Sequence, residues 1–101
     1  MPSKRSPLLL RLMARLGELE FQEAFIPSEH GRYVYGLTDG IITVNPIPHI
    51  VDTVIHEVLH EFFPRRSEHT ILSLTGKLMR QLTDADLQAI YAEYQRKIGQ
   101  A

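Results

Sequence analysis

Hydrophobic positions recur along this chain with two different periods, and the changes of period mark its elements. Leu9, Leu12, Met13 and Leu16 follow helical spacing, with Arg11, Arg15 and Glu18 falling elsewhere. Ser6-Pro7 suits the entry of that helix, a capping hydroxyl followed by a proline at the first helical position, and Gly17 suits its exit. Glu20 to Gly31 shows no clear period and contains Pro27, so it reads as loop. Arg32 to Leu37 is rich in aromatic and branched residues, Asp39-Gly40 is a turn dipeptide, and Ile41 to Asn45 is again strand-like, so the spacing predicts a β-hairpin. Pro46 and Pro48 end the sheet because neither can donate to a ladder.

The period then becomes helical from Ile50 to Phe63. Val51, Val54, Ile55, Val58, Leu59 and Phe62 share one face, and Thr53, His56, Glu57, His60 and Glu61 share the other. Pro64 stops this helix and Arg65-Arg66 make a turn that reads as solvated. Ser67 caps a helix from about Glu68 to Leu82 with Ile71, Leu74, Leu78 and Leu82 on one side. Thr83 and Asp86 form a capping box with Asp in place of the usual Glu or Gln, and Leu87, Ile90, Tyr91, Tyr94 and Ile98 give the last helix its packing face. The expectation is one α+β domain over residues 1–101: an N-terminal helix, a small antiparallel hairpin or sheet, and three further helices.

The chemistry sits at His56-Glu57-Val58-Leu59-His60. Helical residues four apart lie one above the other, so both imidazoles reach one point in space. Zn²⁺ accepts such a pair, and a catalytic site needs a third protein ligand and an open fourth position. Glu57 lies about 100° round the helix, beside a metal rather than on it, where it can take a proton from a water acidified by zinc. Chance matches to this pattern in a chain of this length number on the order of one per hundred. The competing explanation is the solvated polar face of an ordinary amphipathic helix.

Two downstream neighbours compete as third ligand. Glu68 shares the direction of Leu72 and Met79, toward the interior, where a carboxylate is costly unless paired or metal-bound. A first-turn acid is also favoured by the helix dipole without any metal. His69 points about 100° away, on the more polar side, and is the substitute. Asp52, four residues before His56, could orient that imidazole or simply favour the helix N-terminus. His30 and His49 fall in loop-like segments and read as solvent-exposed.

Composition narrows the field. The chain lacks cysteine, which excludes disulfides and thiolate ligands and fits the cytoplasm, so any metal must be held by imidazole and carboxylate. A net charge of -1 gives no case for nucleic acid, and no segment reaches the ~20 apolar residues of a membrane span. No membrane partner is therefore expected. Met1 to Gly17 looks briefly like a signal or transit peptide, but Arg11 and Arg15 interrupt the apolar run and an amphipathic first helix is the better reading.

From Tyr35 to Leu82 the chain resembles the small zincin-like metallopeptidases of phage and bacterial origin, of the minigluzincin type. The resemblance rests on Tyr35-Gly36-Leu37-Thr38-Asp39, a strand ending at Asn45-Pro46, Asp52 to His60, and Pro64 followed by Ser67-Glu68. It implies a minimal zincin-like fold and zinc-dependent hydrolysis of peptide bonds. His56, His60 and Glu68 would bind zinc, and Glu57 would be general base and acid. It also implies an extended peptide or protein substrate paired with an edge strand, here Ile41 to Asn45. The larger gluzincins place their third glutamate farther downstream. No residue matches the group that stabilises the tetrahedral intermediate, for which Tyr35 and His69 are the nearest candidates. A zinc-binding or protein-interaction module of the same fold, without turnover, is the alternative.

Overall fold

The computed structural model describes residues 5–99. Its elements run α1 (Pro7–Leu16), β1 (Phe21–Glu23), β2 (Gly36–Asp39), β3 (Ile41–Val44), α2 (Ile47–Phe62), α3 (Glu68–Gln81) and α4 (Asp84–Ile98). This is an α+β arrangement of four helices and one small mixed sheet. The sheet order is β1-β3-β2, with β2 antiparallel and β1 parallel to β3.

The hairpin forms where its turn chemistry places it. Gly40 adopts φ 72°, in the left-handed region that glycine enters without steric cost, and Asp39 pairs with Ile41 across it. The first strand of the hairpin, however, is Gly36–Asp39 rather than Arg32–Leu37. Tyr33 and Val34 turn inward instead of pairing. The Tyr33 hydroxyl donates to the Met79 carbonyl, and the Val34 carbonyl accepts from Asn45 Nδ2 at 2.8 Å. The Tyr33 ring packs against the core cluster, and Val34 is half-buried outside any ladder.

The segment read as loop, Glu20 to Gly31, contains β1. Its ladder residues pair Phe21 with Ile42, Gln22 with Thr43 and Glu23 with Val44, and Gln22 Nε2 donates to Thr43 Oγ1 at 2.8 Å. All three β1 residues are exposed, so no alternation of polarity announces the strand. Farther on, His30 and Gly31 both take positive φ, 51° and 74°, and close a two-residue turn. Glu29 and Arg32 exchange both backbone hydrogen bonds across it at 2.9 Å. Because β1 occupies the free side of β3, β3 is the central strand. The expectation that Ile41 to Asn45 offers an edge is thereby corrected: the open edges belong to β1 and β2.

Asn45 holds the sheet to the helices. It is 1% exposed; its Nδ2 donates to the Ile26 and Val34 carbonyls, and its Oδ1 accepts from Ile47 N at 3.2 Å. That last bond satisfies a donor at the start of α2, which therefore begins at Ile47 rather than Ile50. Pro48 fits in the first turn, where its missing N–H would have had no intrahelical partner.

Ile47, Val51, Met79 and Leu87 form the core cluster, with Phe25, Tyr33, Ile55, Leu82, Ile90 and Tyr91 packed against it. Helix α3 buries Ile71, Thr75 and Met79, one residue every four, and Thr75 Oγ1 donates back to the Ile71 carbonyl at 2.8 Å. The capping box of α4 forms in both directions between Thr83 and Asp86. Of the apolar face read on α2, Val51 and Leu59 are buried, whereas Val58 and Phe62 remain exposed. Helix α1 differs from the other three. Ser6 caps it as expected, accepting from Leu9 N at 3.1 Å, yet none of its residues is buried and it contacts no other described helix or strand.

Candidate metal centre

The C-terminal half of α2 and the first residue of α3 meet at one point. His56 and His60, one turn apart, bring their Nε2 atoms to 3.2 Å. The Glu68 carboxylate closes the group, with Oε1 2.7 Å from His56 Nε2 and Oε2 2.9 Å from His60 Nε2. One ligand atom from each residue lies within 4.8 Å of the others, close enough to hold one metal ion.

The fit can be tested against coordination geometry. Donors about 2.1 Å from a tetrahedral ion stand about 3.4 Å from each other. The imidazole separation is close to that value, and the carboxylate contacts, one from each oxygen and shorter by roughly half an ångström or more, are hydrogen-bond lengths. A small outward shift of one exposed carboxylate opens the triangle to zinc dimensions. Two neutral imidazole nitrogens and a carboxylate oxygen are also the donor set that zinc takes at open sites.

Local structure aims each ligand. The helix alone fixes His56 and His60. Between the helices, Phe63 N donates to the Leu59 carbonyl at 2.8 Å, Arg66 N donates to the Phe63 carbonyl at 3.1 Å, and the Arg66 guanidinium lies over the Phe63 ring. Ser67 then caps α3, its Oγ accepting from Thr70 N at 3.2 Å, so Glu68 stands in the first turn with a defined direction. Glu68 does share the direction of Ile71 and Met79, but its side chain is 62% exposed rather than buried. Glu68 is the first residue of α3, and its side chain reaches the two histidines of α2 rather than the core. A first-turn carboxylate is also favoured there by the helix dipole.

The structure separates the two candidates for third ligand: Glu68 joins the histidines, and His69 is exposed and outside the group. Glu57 is exposed, next to His56 on the helix, and makes no hydrogen bond or ion pair among the described residues. Asp52 is exposed and does not bond His56. His49 is exposed as expected, though it lies in the first turn of α2 rather than in a loop, and Tyr35 stacks on it with ring centroids 4.4 Å apart. Neither Tyr35 nor His69 belongs to the ligand group. A cleft of about 740 Å³ lined by Ser28, Tyr33, Arg80 and Asp84 among others contains none of His56, His60 and Glu68. Burial, the neighbouring Tyr35 phenol and the acids Asp84 and Asp86 raise the Tyr33 phenol above its ordinary value there.

Compared with protein families, curated proteins and solved structures, this chain matches none of them. No described helix is long and apolar enough to cross a membrane.

Proposed function

We propose that this protein is a zinc metallopeptidase with a minimal zincin-like fold. The observation that carries the reading is the meeting of His56, His60 and Glu68 at one point with Glu57 beside them on α2. Zinc bound there would polarise a scissile carbonyl and bring the pKa of a water toward ~7. Glu57, free of other partners and open to solvent, takes the proton of the attacking water and returns it to the amine nitrogen as the C–N bond breaks. Glu68 and the two imidazoles complete a protein ligand set of three, which leaves a position for the reacting groups. An extended peptide would pair with one of the open edges, β1 or β2, since both sides of β3 are occupied.

A second reading, a zinc-binding module without turnover, draws on the surroundings of the site. Tyr35 is stacked on His49 and His69 lies outside the group, so neither candidate for stabilising a tetrahedral intermediate stands among the ligands. Metal analysis and peptide-library cleavage with the parent and Glu57→Gln separate the readings. The peptidase reading expects about one zinc per chain in both proteins and a turnover lower by orders of magnitude in the variant. Zinc in both with no cleavage by the parent supports the second reading, and an absence of zinc rejects both.

A further inference from the structure

Helix α1 carries an apolar surface that the other described residues leave uncovered. Leu8 is 73% exposed and Leu10, Leu12 and Met13 each just over half exposed, although the helix is regular and capped. On a wheel of 100° per residue with Pro7 at 0°, the apolar side chains Leu8, Leu12, Leu16, Leu9, Met13 and Leu10 cover about 100° to 300°. Arg11 and Arg15 share the remaining strip at about 40° and 80°. The charge of the chain divides at the same place. Residues 1–17 hold Lys4, Arg5, Arg11 and Arg15 and no acid, whereas the other seven Lys and Arg stand against all twelve Asp and Glu. Arg15 is paired with Glu18 at 2.5 Å, and Arg11 has no ion pair among the described residues.

We infer that α1 is a peripheral membrane anchor that lies in the plane of an anionic lipid surface. Three features select lipid over a second protein surface. The apolar arc, about 200° wide, is well above the roughly 100° at which a stripe packed on a protein core begins, and a fluid interface can wrap all of it. The two arginines stand side by side along the Leu8 edge of the arc, where their long stems lie along apolar surface; the Arg11 guanidinium reaches lipid phosphates directly, and that of Arg15 does so by exchanging Glu18 for them. The cationic helix is also joined to an acidic body, a distribution that presents α1, and not the rest of the chain, to a negative surface. The expectation of no membrane partner rested on the lack of a spanning segment, and an interfacial helix needs none.

The test uses the full chain and vesicles of phosphatidylcholine, pure or with roughly one-third phosphatidylserine, the composition that supplies negative surface potential. Sedimentation should show binding to the anionic vesicles, little to the pure phosphatidylcholine, and release at high salt. Leu12→Ser with Leu16→Ser should lower partition roughly a hundred-fold. Arg11→Ala with Arg15→Ala should lower it roughly thirty-fold. Because α1 buries nothing, both double variants should keep the melting temperature and zinc affinity of the parent. Equal binding to the two vesicle types, or none to the anionic ones, overturns the inference. So does a lipid-free dimer that fails to bind vesicles and that Leu12→Ser with Leu16→Ser dissociates, since a second copy would then cover α1.

Discussion

Replacing Glu68 by alanine should weaken zinc binding severely while leaving the metal-free fold almost untouched. Glu68 meets both histidines, at 2.7 and 2.9 Å, yet its side chain is 62% exposed. Without metal, such an exposed pair contributes less than about 1 kcal/mol, so the metal-free variant should melt within a few degrees of the parent. With metal the balance changes. Four-ligand structural zinc sites bind with about 10–16 kcal/mol, so one ligand accounts for about 3 kcal/mol, a loss of roughly two orders of magnitude in affinity. His69→Ala removes an exposed side chain outside the ligand group and should leave affinity within a factor of about two. Competition with a chromogenic chelator measures both constants, and calorimetry of the metal-free proteins supplies the stability comparison. If Glu68→Ala binds zinc nearly as tightly as the parent, or if His69→Ala is the weaker binder, the assignment of Glu68 fails.

Chelation should destabilise the zinc-loaded protein: free zinc at a hundred times its dissociation constant adds about 2.7 kcal/mol, or roughly 10–20 °C in melting temperature. A scan with and without chelator reads that difference, and coincident curves refute zinc binding to the folded state. Asn45→Ala should cost about 2–4 kcal/mol by urea denaturation, because it removes three side-chain hydrogen bonds at a 1% exposed position and strands their partners. Tyr33→Phe should cost about 1 kcal/mol through loss of the bond to the Met79 carbonyl. The Tyr33 phenol is raised in the folded state, so its contribution is fully present below the unfolded value near 10 and is lost as pH rises through the higher folded value. Denaturation midpoints should accordingly fall more steeply above pH ~10 in the parent than in Tyr33→Phe, and parallel profiles would contradict the burial of this group.

Helices and their ends are the part of this fold most legible in the sequence. Ser6, Ser67 and the Thr83–Asp86 pair cap the helices they were read to cap, and those signals are local hydrogen bonds between residues three apart. The meeting of His56 with His60 is local in the same sense. Glu68 was legible in direction but not in burial, because a wheel describes angle and says nothing of where along its axis a helix leaves the core. The sheet was less accessible. β1 is three exposed residues whose partners lie about twenty positions away, and no pattern within Phe21–Glu23 specifies that pairing. Tyr33 and Val34 look like strand residues because bulky side chains suit both a ladder and a core-facing loop. The same limit hid the role of Asn45, which depends on carbonyls from two separate loops.

The spacing of the ligands also bears on the order in which the chain assembles. His56, His60 and Glu68 lie within thirteen consecutive residues, on a helical hairpin whose turn is fixed by Pro64 and the Ser67 cap. Closing a loop of about ten residues takes on the order of 10–100 ns, and the contacts that follow are of low contact order. The pairing of β1 with β3 closes a loop of roughly twice that length, at an entropic cost higher by about half a kcal/mol. If the three side chains hold zinc, the ion would join α2 to α3 through a loop shorter than the one that joins β1 to β3. In the zinc reading, metal supply would influence the rate of folding as well as the stability of its product.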